Sequence, residues 1–175
     1  LFSFDFFLND QNFFDLSNFD LKLLFFISTI VFLLGLLDDK YDLSYSKKFI
    51  FLTFFIVIIL FVDDNLILKE LRLFILKKSI SVDIFQIFLT TLFILLYLNA
   101  FNMFDGINLQ SGIYSITVLT FYYLVVSNAF VIIPLIIFFF IFLYFNQKKN
   151  VFLGNSGSLL ISFLISCYFI KSYNL

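Results

Sequence analysis

Three polar clusters interrupt an otherwise apolar chain, and their residue types suit phosphate chemistry. The first is Asp38-Asp39, which closes the run Gly35-Leu36-Leu37 and is followed by Lys40, Tyr41 and Asp42. Adjacent carboxylates repel, so keeping both ionised favours a cation or a nearby lysine. Mg²⁺ takes a few carboxylates together with phosphate oxygens. The second cluster is Asn99-Ala100-Phe101-Asn102-Met103-Phe104-Asp105-Gly106-Ile107-Asn108. Asn99, Asn102 and Asp105 are spaced three apart and share nearly one face if a helix continues through them. Their oxygens suit a hard cation or the hydrogen-bonding edge of a nucleotide. The third is Val151-Phe152-Leu153-Gly154-Asn155-Ser156-Gly157-Ser158, preceded by Lys148-Lys149. Its two glycines permit close backbone approach, and Ser158 can cap a following helix whose N-terminus favours a phosphate.

Each cluster also has an ordinary reading. An acidic pair can simply end a helix in a solvated loop, Asn-Asp-Gly suits a turn, and a Gly-Ser stretch is a common helix cap. Location weighs towards function. Residues 84–100 and 111–145 carry no charge, and an ionisable group beside a bilayer span is costly enough to mark a functional site.

The composition sets that location. The 175 residues are 62% hydrophobic and 13% charged, with 31 Phe and one Pro, and mean hydropathy is +1.08. A soluble domain is roughly 45–50% apolar and about 25% charged. An integral membrane protein is therefore expected. A net charge of -1 gives nucleic acid no electrostatic footprint. Cys167, the one cysteine, lies in an apolar run and is read as a small buried hydrophobe. No basic leader precedes a small-residue cleavage site. The chain begins at Leu1 and is expected to be a fragment of a longer polytopic protein.

Residues 1–20 are Phe-rich but carry Asp5, Asp10, Asp15 and Asp20, too many charges for a span. They form an extramembrane or interfacial segment on this reading. Six apolar stretches follow, at 21–37, 49–62, 84–98, 113–127, 129–145 and 159–170. A span takes about 20 predominantly apolar residues, so the shorter stretches need polar flanks or a thinned bilayer. No strand-like alternation is present, and only helices satisfy their own backbone in lipid. The expected fold is all-α, a polytopic transmembrane helical bundle of about six spans, part of a larger bundle.

Counting crossings places the three clusters on one aqueous side. Lys40, Lys47, Lys48, Lys148 and Lys149 fall there, and Lys22, Lys69, Arg72, Lys77, Lys78 and Lys171 fall opposite. This distribution does not orient the chain by the positive-inside rule. Because Asp38 and Asp39 end a span, neither is expected inside a packed core.

In order and spacing the clusters resemble the polyprenyl-phosphate N-acetylhexosamine-1-phosphate transferases, a glycosyltransferase 4 family related to phospho-N-acetylmuramoyl-pentapeptide transferase. Its marks are an Asp-Asp pair ending a span, Asn-x-x-Asn-x-x-Asp-Gly, and Phe-x-Gly-Asp-x-Gly-Ser. Here these stand as Asp38-Asp39, Asn99 to Gly106, and Phe152 to Ser158. The resemblance runs from about Leu21 onward, making 21–175 one transmembrane transferase domain incomplete at both ends. It implies attack of a polyprenyl (undecaprenyl) phosphate on a UDP-N-acetylhexosamine with Mg²⁺ as cofactor, releasing UMP and initiating a cell-envelope glycan. It also implies a bacterial cytoplasmic (inner) membrane, with the motif loops facing the cytoplasm.

Carried over by position, Asp38 and Asp39 would be catalytic, activating the lipid phosphate and organising the metal. Asn102 and Asn155 would be at the metal. Asn99, Asp105, Gly106 and Asn108 would bind the nucleotide sugar, and Phe152 would stack on uracil. The Asn-Ala-Phe-Asn wording leans towards the N-acetylglucosamine-type branch. A homodimer is kept open.

The departures from the pattern are specific. Asn155 stands where the family's metal-binding aspartate is usual, Asn108 where Asp is frequent, and Leu109 where glycine is usual. The family's basic Gly-rich and His-rich loops are absent, and the sequence contains no histidine. Two alternatives therefore stay in view. One is a catalytically impaired relative that binds lipid phosphate or nucleotide. The other is an unrelated transporter, against which the polar residues sit at span ends rather than mid-depth.

Overall fold

A computed structural model describes residues 18–73, 78–106, 109–125, 132–149 and 151–174. The expected segment 1–20 lies almost wholly outside the described residues, as do Asn108 and the turn at Ser127-Asn128. Six α-helices coincide with the six apolar stretches. They are α1 (Asn18–Tyr41), α2 (Tyr45–Val62), α3 (Gln86–Asp105), α4 (Gln110–Val125), α5 (Ile133–Gln147) and α6 (Gly154–Asn174). Long runs of Leu, Ile and Phe let the i→i−4 ladder continue, and breaks come where special residues allow them. At the end of α1, Asp42 adopts φ 49° and its N–H bonds the Asp38 carbonyl at 2.9 Å, a left-handed cap that aspartate tolerates. Pro134 sits in the first turn of α5, where its missing N–H leaves no hydrogen bond unmade. Two helical stretches, Tyr45–Val62 and Asp83–Asp105, are long and apolar enough to cross a membrane by themselves. Ile133–Gln147 is apolar but shorter.

Between α2 and α3 the sequence suggests only a charged loop, and the structure adds a small antiparallel hairpin, β1 (Glu70–Leu73) with β2 (Lys78–Ser81). Its register pairs Glu70 with Ser81 and Leu73 with Lys78. A lone hairpin is marginal in water; the segment 65–68 that leads into this one is tethered to two helices. The Asn174 amide donates to the Asn65 and Ile67 carbonyls, each at 2.8 Å, and the Leu68 N–H bonds the Thr90 hydroxyl at 2.9 Å.

α6 is the central element. It packs against α1 and α3, while α4 packs against α5. Leu159, Phe163, Cys167 and Ile170 join a core with Val31, Ile56 and Leu98. From its other face Ile161 and Ile165 join a second core with Phe101 and Phe139. Ser158, Ser162 and Ser166 are fully buried on the same helix. Ser162 and Ser166 return their hydroxyls to carbonyls of their own helix at 2.7 Å, so small side chains permit close helix approach with no unmet polar group. Outward, Phe25, Phe54, Phe61, Phe88, Phe121 and Phe140 are all more than half exposed.

Candidate active site

The start of α6 is held by residues from every cluster the sequence singles out. Gly35 and Asp39, one turn apart on α1, form its seat. A Cβ on Gly35 would lie 2.3 Å from the Ser156 Cα, so no other residue allows this approach. The Asp39 carboxylate then accepts the Asn155 N–H at 2.8 Å and the Ser156 N–H at 3.0 Å, two of the donors a helix N-terminus leaves unpaired. Gly154 makes the turn into the helix at φ 67°, and a Cβ there would sit 3.1 Å from Asp39 Oδ2. Burial pushes the Asp39 carboxyl up, but the Ser156 and Asn155 N–H groups, aided by both side chains, more than reverse this. The carboxyl ends below its usual value.

Asp38 points elsewhere. It is buried, pairs with Lys48 Nζ at 2.6 Å and accepts the Leu43 N–H at 3.1 Å. The expectation that neither aspartate enters a packed core is therefore corrected for Asp38. The short link 42–44 folds α2 back on α1 and closes over the carboxylate. The two acids diverge because successive residues on a helix face different directions, and the lysine that an acidic pair calls for is Lys48.

Asn102 on α3 accepts the Ser158 hydroxyl at 2.5 Å, joining the second cluster to the third. Asn99, exposed, and Asn102 also line an open groove of about 660 Å³ between α2 and α3, together with Lys48, Phe49, Leu52 and Met103. Asp105, half-buried, accepts the Ser111 hydroxyl at 2.9 Å and lies beside the Gly154 N–H and the Asp39 carboxylate. Gly106 ends α3, and Phe152 is exposed on the loop before α6. Asn108 lies outside the described residues.

Asn146 and Lys48 are the site residues that the motif reading passes over. Lys48 counts there only as a loop charge, although a lysine just past a tight helix–helix link is within reach of an acid before it. Asn146 goes unnamed there, and the pair of amides Asn146-Gln147 closing an otherwise apolar helix is the signal that marks it. Its side chain accepts the Leu109 N–H and donates to the Val151 carbonyl, both at 2.8 Å. Leu109 has φ 66°, which accounts physically for a glycine preference at this position. Leu109→Gly is expected to raise stability by about 1 kcal/mol, the rough cost of a left-handed non-glycine residue. An apparent melting temperature no higher than that of the native chain would contradict this.

The donors around the α6 N-terminus are all hard oxygens: the Asp39 and Asp105 carboxylates and the Asn102 and Asn155 amides. That chemistry suits Mg²⁺. Among the described residues, however, no group of three or more His, Cys, Asp or Glu side chains could hold a metal unaided. With an amide at 155, α6 itself adds no carboxylate to those of Asp39 and Asp105, so bound phosphate would have to complete any cation shell.

The family model described as Glycosyl transferase family 4 matches residues 21–173. No curated protein and no solved structure matches the chain. The matched span takes in the seat on α1, the groove between α2 and α3, and the capped start of α6, and the chain belongs to glycosyl transferase family 4.

Proposed function

We propose that the chain transfers N-acetylhexosamine-1-phosphate from a UDP-sugar to polyprenyl phosphate, releasing UMP. The observation that carries this reading is the gathering of all three polar clusters at the α6 N-terminus beside the α2–α3 groove. An acceptor-lipid oxygen attacks the β-phosphorus of the UDP-sugar. The bond from that phosphorus to the bridging oxygen breaks, and UMP leaves with the oxygen. Such transfer needs mainly positioning and charge neutralisation. Lys48 receives the acceptor phosphate while the apolar flank of the groove takes the first part of its lipid chain. Asp105 and Asn99 orient the nucleotide sugar, and Phe152 stacks on the uracil. Mg²⁺, when bound by Asp39, Asp105, Asn102 and Asn155, would supply further neutralisation of the diphosphate. Purified chain given UDP-N-acetylglucosamine and undecaprenyl phosphate should release UMP only when both are present. UMP release that ignores the lipid would contradict the reading.

We place all six helices across a bacterial inner membrane, with the motif end in the cytoplasm. The two crossing-length helices and the outward phenylalanines support this, since exposed apolar surface on this scale is unusual in water. Cysteines introduced at Lys149 and Lys69 should then react with an impermeant thiol reagent from opposite sides. Labelling of both from one side would refute the arrangement.

Asn155 favours a second reading, an impaired relative that binds the same ligands. Mg²⁺ prefers anionic oxygen and sheds water reluctantly. Asn155→Asp is therefore expected to lower the magnesium concentration needed for half-maximal transfer and to raise turnover. Transfer seen only in the Asn155→Asp form would establish the impaired reading. Identical magnesium dependence in both forms would place residue 155 away from the metal.

A further inference from the structure

Asn146, next to last in α5, is 4% exposed, and no step of the transfer described above requires an amide there. Its Oδ1 accepts the Leu109 N–H and its Nδ2 donates to the Val151 carbonyl, each at 2.8 Å, while its own carbonyl accepts the Lys149 N–H at 2.8 Å. Both side-chain partners are loop backbone. Leu109 lies three residues after Gly106 in sequence, and Val151 precedes Phe152 directly.

We propose that Asn146 is a positioning residue that fixes the spacing between Leu109 and the Phe152 loop, and so holds the nucleotide-sugar residues on the two sides, Asp105 and Phe152, in register. This rests on the donor-site reading above. An amide is what the position requires, because one atom must accept and the other donate. A carboxylate would satisfy Leu109 and repel the Val151 carbonyl, and an aliphatic side chain would leave both backbone groups unmet. The left-handed backbone at Leu109 makes its position more dependent on outside support. The helices themselves do not depend on the clamp. α4 and α5 already meet at Gly112, where a Cβ would lie 2.5 Å from Leu143 Cδ2, and Phe139 and Phe142 pack beneath.

The test is steady-state transfer by the full chain with UDP-N-acetylglucosamine and undecaprenyl phosphate varied separately, for Asn146→Leu and Asn146→Asp. Asn146→Leu should raise the KM for the nucleotide sugar about tenfold, the rough consequence of leaving a buried backbone group unpaired. The KM for the lipid and kcat should stay within about twofold, the pattern of lost binding rather than lost chemistry. Asn146→Asp, which keeps the Leu109 bond, should fall between. An unchanged nucleotide-sugar KM in a folded variant overturns the proposal. So does a parallel loss of kcat and of both affinities together with melting temperature, which would make Asn146 a residue of the general fold. If Asn146→Leu does not fold, Asn146→Asp decides by the same criteria. A native chain that neither binds UDP-N-acetylglucosamine nor transfers from it overturns the function itself, whereas native activity with indifferent variants overturns only the role of Asn146.

Discussion

Lys48→Met is expected to destabilise the protein by about 3–5 kcal/mol, because it leaves a buried carboxylate without its partner. Asp38 keeps the Leu43 N–H, and one hydrogen bond does not replace an ion pair at 2.6 Å between side chains that are 9% and 7% exposed. The double change Asp38→Asn with Lys48→Met removes both charges and should recover most of the loss, since a buried pair contributes little net stability over uncharged residues. Transfer should not recover with it. Lys48 lines the groove, and loss of a preorganised cation at a reacting phosphate costs roughly 10²–10³ in rate. Apparent melting temperatures and transfer rates of the native, single and double forms separate the two roles. A Lys48→Met form that melts with the native protein would show that the pair is not buried in the working molecule. A double mutant that regains transfer would remove Lys48 from the acceptor site.

Asp39→Asn should do the reverse, sparing the fold and losing activity. One amide oxygen can accept a single N–H well, while the amide nitrogen confronts the other, so the start of α6 loses half its seat. The stability cost is that of a helix cap, about 1 kcal/mol. Transfer should drop by roughly 10²–10³, as for other losses of aligned charge at a phosphate site. The pH profile carries a further expectation. The folded-state carboxyl lies below its usual value, so its contribution is complete above the ordinary carboxylate pKa of about 3.9. It is lost only as pH falls through the depressed folded value. Asp39 should therefore add no acid limb to the transfer rate above about pH 5. Transfer by Asp39→Asn at the native rate would remove Asp39 from the site. An acid limb above that pH, abolished by the substitution, would contradict the capped geometry.

Much of this arrangement is visible in residue order. Six apolar runs locate six helices because nothing but a helix suits so long a stretch without turn residues. Counting alternate ends brings Asp39, Asn102 and Gly154 together, and their contacts follow that expectation. Hydropathy does not reveal where side chains turn once a helix ends. Asp38 and Asp39 look equivalent as neighbours, yet one is enclosed with Lys48 and the other caps α6, a difference set by the link 42–44. The β1–β2 hairpin is too short and too charged to register as alternation, and its anchor, Asn174, lies far off in sequence. The amides closing α5 mark Asn146 in the sequence but not its role, since both its partners are backbone groups, which leave no trace in composition.

The measurement closest to the central claim follows the phosphorus. UDP-N-acetylglucosamine carrying ³²P in the β position is incubated with the purified chain, undecaprenyl phosphate and Mg²⁺, and the lipid and nucleotide products are separated. Sugar-1-phosphate transfer predicts label in the lipid, now a diphosphate, and unlabelled UMP in equal amount. Labelled UDP beside an unlabelled glycolipid, or no lipid product from any UDP-N-acetylhexosamine, would contradict it.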